Sequence, residues 1–282
     1  MTTDSTATSP STAISRDEVC TVASARRVAS MLDLDPQSVV HGAALPRGWH
    51  FFLLAGDTRR SLLRADGFPG LGVSIPDLGL PRLMLGGRTV TFHKDIPIGA
   101  SLLRDSAVLN IDHKIRESGD LAVVTIAHAL RLTADDGPAI VETQTYLLLP
   151  ARTEKASATP LPRAETRLPR CQKIVIPDET LLFQFSALGF NSHRIHLDRD
   201  HARNVEGFPD LVVNGGFSTL MLTEFLRQEV ALVPSSYSVK HLAPLYCNRP
   251  VTLTAEASDG GWRLKAFDDQ QVLAVDMKVE IL

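Results

Sequence analysis

A short polar segment in the second half of the sequence carries the side chains best suited to chemistry. Asn191, His193, Arg194, His196 and Asp198 follow one another closely behind an apolar run. His196 is the strongest candidate for a general acid and base, because an imidazole titrates near neutral pH. The alternative is a structural histidine that bonds a backbone carbonyl. The segment predicts proton transfer at His196.

A glycine-led helical pattern begins soon after this segment, at Asn214-Gly215-Gly216. The first backbone amides of a helix carry a partial positive charge, which suits an oxyanion. Glycine also lets a ligand approach the backbone closely. The alternative is a glycine needed only for the backbone geometry of a helix start. Gly215 is therefore predicted to bind a developing negative charge close to His196.

The other polar residues of the segment have supporting roles or structural ones. Asn191 has no base at neutral pH, so it either orients a water molecule or caps the loop. Asp198 either orients a side chain or caps the turn that follows, and capping is the preferred interpretation. His193 faces either a pocket or solvent.

The length, composition and charge of the chain limit the classes of protein to which it can belong. The chain has 282 residues, 44% hydrophobic and 22% charged, with a net charge of −3. These values are typical of a globular protein and give no basic footprint for nucleic acid. No apolar run is long enough to span a membrane. Residues 1–16 are predicted to be a disordered tail without the apolar core of a signal peptide, and the protein is predicted to be cytoplasmic.

Metal and cofactor motifs find no support in the sequence. Cys20, Cys171 and Cys247 lie far apart, which excludes zinc-type spacing and favours buried, reduced thiols. No glycine-rich loop of the phosphate-binding type is present. We predict no metal site.

Hydrophobic periodicity divides the chain into two similar halves. The predicted helices span residues 17–34 and 215–230. The predicted strands are 89–92, 101–116, 121–133, 139–149, 181–185, 236–241, 251–257, 262–267 and 272–281. Residues 37–81 are predicted to be loop, 17–155 and 171–282 to be the two halves, and 156–170 to be a linker.

Three stretches carry a resemblance to a known family. They are residues 185–198 around the His193-Arg194-Ile195-His196 segment, residues 206–215, and residues 81–88 in the first half. Through them the chain resembles the MaoC-like double hot-dog hydratases and dehydratases of acyl-CoA thioesters. The closest branch contains the itaconyl-CoA and mesaconyl-CoA hydratases and the mitochondrial-type hydroxyacyl dehydratases.

The resemblance implies an α+β fold of two hot-dog halves, each a long helix wrapped by an antiparallel sheet. It implies that the first half forms the acyl pocket and that the second half carries the catalysis, in a homodimer. Coenzyme A is part of the substrate, and no separate cofactor is expected.

Aligning the family's motif with this sequence implies a role for several residues and also shows where this sequence departs from the motif. The catalytic histidine of the wider family falls on His196, and the glycine that binds the thioester oxygen falls on Gly215. The family's catalytic aspartate falls on Asn191, and the histidine before its glycine falls on Asn214. The hypothesis is that His196 alone takes a proton from water and later delivers one to the α-carbon, while Asn191 orients the water.

Several further residues are candidates for binding the substrate. Arg194, Arg82 and Arg88 can each hold a carboxylate or a CoA phosphate in bidentate fashion, or lie at the surface. Lys240 either meets the CoA phosphates or is a solvated strand residue. His193 and Asn214 complete the predicted binding set.

The expected function is reversible hydration of itaconyl-CoA or mesaconyl-CoA to citramalyl-CoA. The nearest alternative is a dehydratase of longer 3-hydroxyacyl thioesters in fatty-acid or polyketide metabolism. A non-catalytic acyl-thioester-binding module is also open, because Asn191 stands in place of the catalytic aspartate. A hot-dog thioesterase is the remaining possibility, and the hydratase-type segment around His196 disfavours it.

Overall fold

A single ten-stranded antiparallel sheet forms the framework of the molecule. The computed structural model describes residues 13–114, 120–151 and 171–282. The first half contributes Ile14–Val19 (β1), Arg82–Phe92 (β2), Ser101–Lys114 (β3), Leu121–Leu132 (β4) and Ile140–Leu149 (β5). The second half contributes Cys171–Val175 (β6), Pro234–His241 (β7), Val251–Ser258 (β8), Gly261–Phe267 (β9) and Leu273–Ile281 (β10). The strand order is β1-β3-β4-β5-β2-β7-β10-β9-β8-β6.

This strand order confirms that the two halves repeat one module. Read outward from the centre, the first half runs β2-β5-β4-β3-β1 and the second runs β7-β10-β9-β8-β6. The halves join through the antiparallel pair β2–β7, where Gly87 lies opposite Lys240. A Cβ at Gly87 would lie 2.6 Å from the carbonyl oxygen of Val239, so only glycine permits this approach.

The described residues form four α-helices: Val22–Met31 (α1), Glu179–Leu188 (α2), Arg199–Asn204 (α3) and Gly215–Phe225 (α4). The last is extended by a π-helical turn over Leu226–Val230. Every residue of α4 from Phe217 to Phe225 is buried, as expected for a helix that is apolar on all sides. One hydrophobic cluster runs through both halves, so α4 lies in a core that they share.

A buried hydrogen bond ties the first half to α4. The indole Nε1 of Trp49 donates to Glu224 Oε1 over 2.7 Å. Arg227 and Gln228 donate to the same carboxylate. A Cβ at the preceding Gly48 would lie 2.6 Å from Thr223 Oγ1, so the two segments are in close contact.

The structure confirms the predicted strands 101–116, 121–133 and 139–149 over their described parts, the last four strands of the second half, and the helix over 215–230. The strand predicted at 181–185 is wrong, because these residues lie in α2. Asp178 caps that helix by accepting from the backbone N–H of Leu181. Leu182, Phe185 and Ser186 are its buried residues, and this spacing of three and four is helical.

The start of the chain and the central helix of the first half also differ from expectation. Residues 14–16, predicted as tail, and 17–19, predicted as helix, form β1, with alternating burial against β3. Among the described residues of the first half, α1 is the longest helix, with ten residues. A six-residue 3₁₀ helix at Trp49–Leu54 lies in the segment that matches α4 in chain order, so the expectation of a long helix in each half is met only in the second.

Some expectations fall outside the described residues, namely those for residues 1–12, 115–119 and 152–170, which include the predicted linker. Cys20 and Cys247 are buried, whereas Cys171 is only half-buried. Within the described ranges, no helix has the length and apolar character needed to cross a membrane.

Candidate active site

One cavity of about 410 Å³ lies between the halves, a size typical of small-ligand sites. The second half contributes Asn191, His193, His196, Asn214, Gly215 and His241 to its lining. The first half contributes Asp66, Arg82, Arg88, His128, Gln144 and Tyr146. The structure therefore brings the predicted histidine and the predicted amide to the same cavity.

A short loop after α2 positions His196. The helix ends where the backbone N–H of Asn191 donates to Ser186 O, and a 3₁₀ turn then spans Arg194–His196. The Nδ1 of His196 lies 2.7 Å from the carbonyl oxygen of Val212. A carbonyl only accepts, so Nδ1 carries the proton and Nε2 keeps its lone pair. The bond to a backbone carbonyl expected of a structural histidine is therefore present, and it leaves Nε2 available for proton transfer.

The environment keeps His196 neutral. Burial is the largest of the causes that together lower the pKa of His196 to about 3; the neighbouring His193 also lowers it, and the hydrogen bond to the Val212 carbonyl opposes the decrease. An imidazole with this pKa is unprotonated at neutral pH. Its Nε2 is therefore available to accept a hydrogen bond from a water molecule.

Gly215 begins α4 at the cavity wall. No described side chain caps this helix, so its first amides are available to a ligand. A Cβ at Gly215 would lie 3.1 Å from Leu85 Cδ2 and 3.5 Å from His241 Cε1. The narrow space and the free amides fit an oxygen that develops negative charge.

Two residues of the loop are engaged in backbone capping. Asn191 Oδ1 accepts from the backbone N–H of His193 over 3.0 Å, and Asp198 Oδ1 accepts from the backbone N–H of His201 over 3.0 Å. Asp198 therefore caps α3, as preferred from the sequence. Asn191 also lines the cavity, so its amide nitrogen remains for a ligand.

His193 and Asn214 both lie in the cavity wall and are buried. The His193 ring packs edge-on against the His196 ring, with centroids 5.5 Å apart. Asn214 Nδ2 donates to Ser186 Oγ over 3.3 Å, and its Oδ1 has no hydrogen-bond partner among the described residues.

The four predicted cations separate into two groups. Arg82 and Arg88 line the cavity, each beside a carboxylate: Glu206 lies 3.0 Å from Arg82, and Glu142 lies 3.3 Å from Arg88. Arg194 is outside the cavity lining and is exposed, paired with Asp198 at 2.7 Å. Lys240 is an exposed residue of β7 and also lies outside the lining.

A buried polar chain surrounds Arg88 in the first half. Glu142 accepts from Gln144 Nε2 over 2.6 Å and lies 2.8 Å from His50 Nε2, and the Tyr146 hydroxyl donates to Gln144 over 2.6 Å. Burial raises the pKa of Glu142, but Arg88 and His50 outweigh it and bring the pKa to about 2. The acyl side of the cavity therefore has a charged and polar wall.

Several residues of the cavity wall were not predicted from the sequence. His241 lies beside Gly215, its Nε2 has no partner among the described residues, and burial followed by Arg88 lowers its pKa to about 3. The only sequence feature that could have indicated His241 is its position at the end of a predicted strand. Asp66 and Glu206 lie in segments without hydrophobic periodicity. His128, Gln144 and Tyr146 lie in strands that were predicted to have only a structural role. Within the described ranges, no three His, Cys, Asp or Glu side chains are grouped to hold a metal ion.

Solved structures that align with this chain share its fold. A solved Mycobacterium tuberculosis protein described as having a double hot-dog fold aligns with a TM-score of 0.59 and 14% identity, covering 96% of this chain and 97% of that one. A MaoC-like dehydratase from Phytophthora capsici aligns with a TM-score of 0.69 and 14% identity, covering 97% and 96%.

The family model for hydroxyacyl-thioester dehydratase type 2 matches residues 48–247, and the chain belongs to that family. The mesaconyl-C(4)-CoA hydratase of Chloroflexus aurantiacus is 33% identical over 271 residues, which is 94% of this chain and 93% of that protein. The chain is therefore an enzyme of the acyl-CoA hydratase and dehydratase class.

Proposed function

We propose that this enzyme reversibly adds water to a short, branched, unsaturated dicarboxylyl-CoA thioester, itaconyl-CoA or mesaconyl-CoA, to form citramalyl-CoA. The observation that carries the proposal is that His196, Gly215 and Arg88 line one cavity. They supply a base, an oxyanion site and a cation for the second carboxylate. The similarity to a mesaconyl-C(4)-CoA hydratase supports the same substrate class.

The proposed reaction uses only groups of the chain and the thioester. With mesaconyl-CoA, whose double bond is conjugated with the thioester, the Nε2 of His196 accepts a proton from water, and the water oxygen bonds to the β-carbon. With itaconyl-CoA, His196 first moves a proton from the α-carbon to the methylene carbon, which brings the double bond into the same conjugated position. The electron pair of the double bond moves toward the thioester oxygen, which accepts a hydrogen bond from the Gly215 amide. The imidazolium of His196 then returns the proton to the α-carbon, so that atoms and charge balance.

Arg88 is the better of the two lining cations for the substrate carboxylate. Its side chain is 9% exposed, against 20% for Arg82. Its Nη2 lies 3.5 Å from the position of a Cβ on Gly216, next to the proposed oxyanion site. Arg88 Nε has no hydrogen-bond partner among the described residues, so the guanidinium retains donor capacity. A cation one short acyl chain away from the oxyanion site suits a small dicarboxylyl group.

The second candidate is dehydration of longer 3-hydroxyacyl thioesters, which the family description favours. The polar wall of Arg88, Gln144 and Tyr146 opposes it, because a long alkyl chain there would lie against charged and polar groups instead of an apolar surface. Assembly as a homodimer and a cytoplasmic location remain predictions.

The test is to follow hydration of itaconyl-, mesaconyl-, crotonyl- and a longer straight-chain enoyl-CoA by thioester absorbance. We expect turnover of the first two to exceed that of the straight-chain substrates. The double variant Arg88→Gln/Glu142→Gln removes both charges of the pair without leaving one unpaired, and should shift kcat/KM toward crotonyl-CoA.

The matched control is Arg82→Gln/Glu206→Gln, which neutralises the other lining ion pair. If this control changes the substrate ratio and the Arg88 variant does not, Arg82 binds the carboxylate. Preference of the unmodified enzyme for long straight chains would instead support the dehydratase candidate. Binding without turnover would indicate a non-catalytic module, and release of free CoA a thioesterase.

A further inference from the structure

A turn of the first half is attached directly to the histidine loop of the second. The backbone N–H of Arg194 donates to Asp66 O over 2.8 Å, and Ser192 Oγ donates to Gly67 O over 2.6 Å. Gly67 has φ +78°, and a Cβ there would lie 2.5 Å from Ser192 O. We call these four residues the inter-half clasp. It fixes the turn of the first half relative to the loop that carries His193 and His196.

The clasp brings a carboxylate into the cavity. Asp66 lines it, and its side chain is 12% exposed. Asp66 Oδ1 accepts from the backbone N–H of Phe68 over 2.9 Å, which fixes the carboxylate orientation. The other oxygen, Oδ2, lies 3.6 Å from His193 Nε2 and 3.4 Å from Arg64 Nε.

The imidazole beside Asp66 is in turn in contact with His196. His193 is 6% exposed, and its ring packs edge-on against the His196 ring. A carboxylate, an imidazole and the candidate base therefore follow one another along the same cavity wall. The first half supplies the carboxylate, and the second half supplies both rings.

We propose that Asp66 is a positioning residue of the hydration reaction, which holds the His193 ring against the imidazole of His196 and so helps to orient that imidazole. The inference rests on the proposed function of His196. It assigns to the first half a part in proton transfer in addition to the acyl pocket. The second half has an amide, Asn191, at the position expected to hold a carboxylate, and the clasp delivers a carboxylate from the opposite half.

The physical reason is the position of the His193 ring. Burial lowers the pKa of His193 overall, Asp66 and Glu206 oppose this, and Arg64 and His201 add to it. A positive charge on His193 lowers the pKa of His196, so the contribution of Asp66 is to hold the neighbouring ring in place and not to stabilise the imidazolium of His196. No bond to Asp66 forms or breaks, and the proton passes from water to His196 and then to the α-carbon.

The variant Asp66→Asn tests this with little change in structure. The asparagine oxygen can still accept from Phe68 N–H, and the backbone bond to Arg194 is untouched. The matched control is Asp77→Asn, because Asp77 makes the same type of turn by accepting from Gly79 N–H over 2.9 Å but is exposed and outside the cavity lining. With the preferred enoyl-CoA, we expect kcat of Asp66→Asn to fall by about 10- to 100-fold, as when an orienting partner is removed from a functional histidine. KM should stay within about twofold.

A pH profile separates positioning from a merely structural role. Removing the carboxylate removes an influence that raises the pKa of His193. Because a protonated His193 makes His196 a weaker base, the acid limb of kcat/KM that reports protonation of His193 should move to lower pH. The limb of Asp77→Asn should not move. In the double variant Asp66→Asn/His193→Gln, the loss should equal that of His193→Gln alone, because both changes interrupt one pair.

Three results would overturn the inference. They are an Asp66→Asn enzyme with the kcat and acid limb of Asp77→Asn, losses that multiply in the double variant, or a loss confined to KM. If Asp66→Asn fails to fold, Asp66→Ser keeps an acceptor for Phe68 N–H and is judged by the same profile. An unmodified enzyme that hydrates no enoyl-CoA overturns the proposed function, and the inference with it.

Discussion

The inter-half clasp predicts a specific sensitivity at Gly67. The change Gly67→Ala places a methyl group at φ +78° and 2.5 Å from Ser192 O. An alanine in left-handed backbone costs about 1–2 kcal/mol, offset by about 0.4–1 kcal/mol because alanine restricts the unfolded chain. Relief of the contact requires the turn to move away, which breaks the Ser192–Gly67 and Arg194–Asp66 hydrogen bonds at about 0.5–1.5 kcal/mol each. The free energy of unfolding should therefore fall by about 1–5 kcal/mol, of which the two hydrogen bonds account for about 1–3 kcal/mol.

The matched control is Gly79→Ala. Gly79 has φ +67°, and a Cβ there meets no atom within 4 Å. This variant has the backbone cost without the contact, so it should lose about 1 kcal/mol or less. Urea unfolding of both proteins measures the difference. Turnover of folded Gly67→Ala should also fall, because Asp66 moves away from His193. Equal destabilisation and equal activity in the two variants would refute the clasp.

Four further predictions follow from the site and the core. His196→Asn, whose amide can still donate to Val212 O, should lower kcat by about 10²–10⁴ in the hydration assay, and unchanged turnover would remove His196 from the mechanism. Asn191→Asp should not raise kcat, because the residue already caps His193 N–H through the same oxygen, and a faster enzyme would contradict this. The pKa values of His128, His196 and His241 are lowered to about 4, 3 and 3, so below about pH 6.5 the unfolded chain binds protons that the folded one does not. The free energy of unfolding should then fall as pH drops from about 6.5 toward 4, by about 1.4 kcal/mol per pH unit for each histidine, and less steeply in His128→Gln. Trp49→Phe removes the hydrogen bond to Glu224 and should cost about 1–3 kcal/mol in thermal unfolding, and a neutral result would show that Arg227 and Gln228 satisfy that carboxylate alone.

The part of the site that the second half contributes could largely be predicted from the sequence. His196 and Gly215 lie 19 residues apart (215 − 196) and flank one short helix, so their proximity depends mainly on local structure. The α+β double hot-dog fold and the enzyme class followed from the same segments and were confirmed.

The residues that the first half contributes to the site could not be predicted in the same way. Asp66 lies in an irregular segment with no hydrophobic period, and its position depends on backbone hydrogen bonds to residues more than a hundred positions away. The predicted strand begins at residue 89, after Arg88, because the two glycines Gly86 and Gly87 have low strand propensity. Gly87 is required by the close approach of β7, and a Cβ at Gly86 would crowd Leu147 of β5 at 3.2 Å. The strand at 181–185 was mistaken because a short apolar run fits both a strand and a buried helix face.

The joint between β2 and β7 has a consequence for how such an enzyme can diverge. In an assembly of two identical subunits, each substitution appears twice, and both ends of the sheet must remain equivalent. Here both copies of the module lie on a single polypeptide, and one has an α-helix of 11 residues where the other has a 3₁₀ helix of six. A substitution in one copy is not repeated in the other, so each copy can change without imposing the same change on its counterpart.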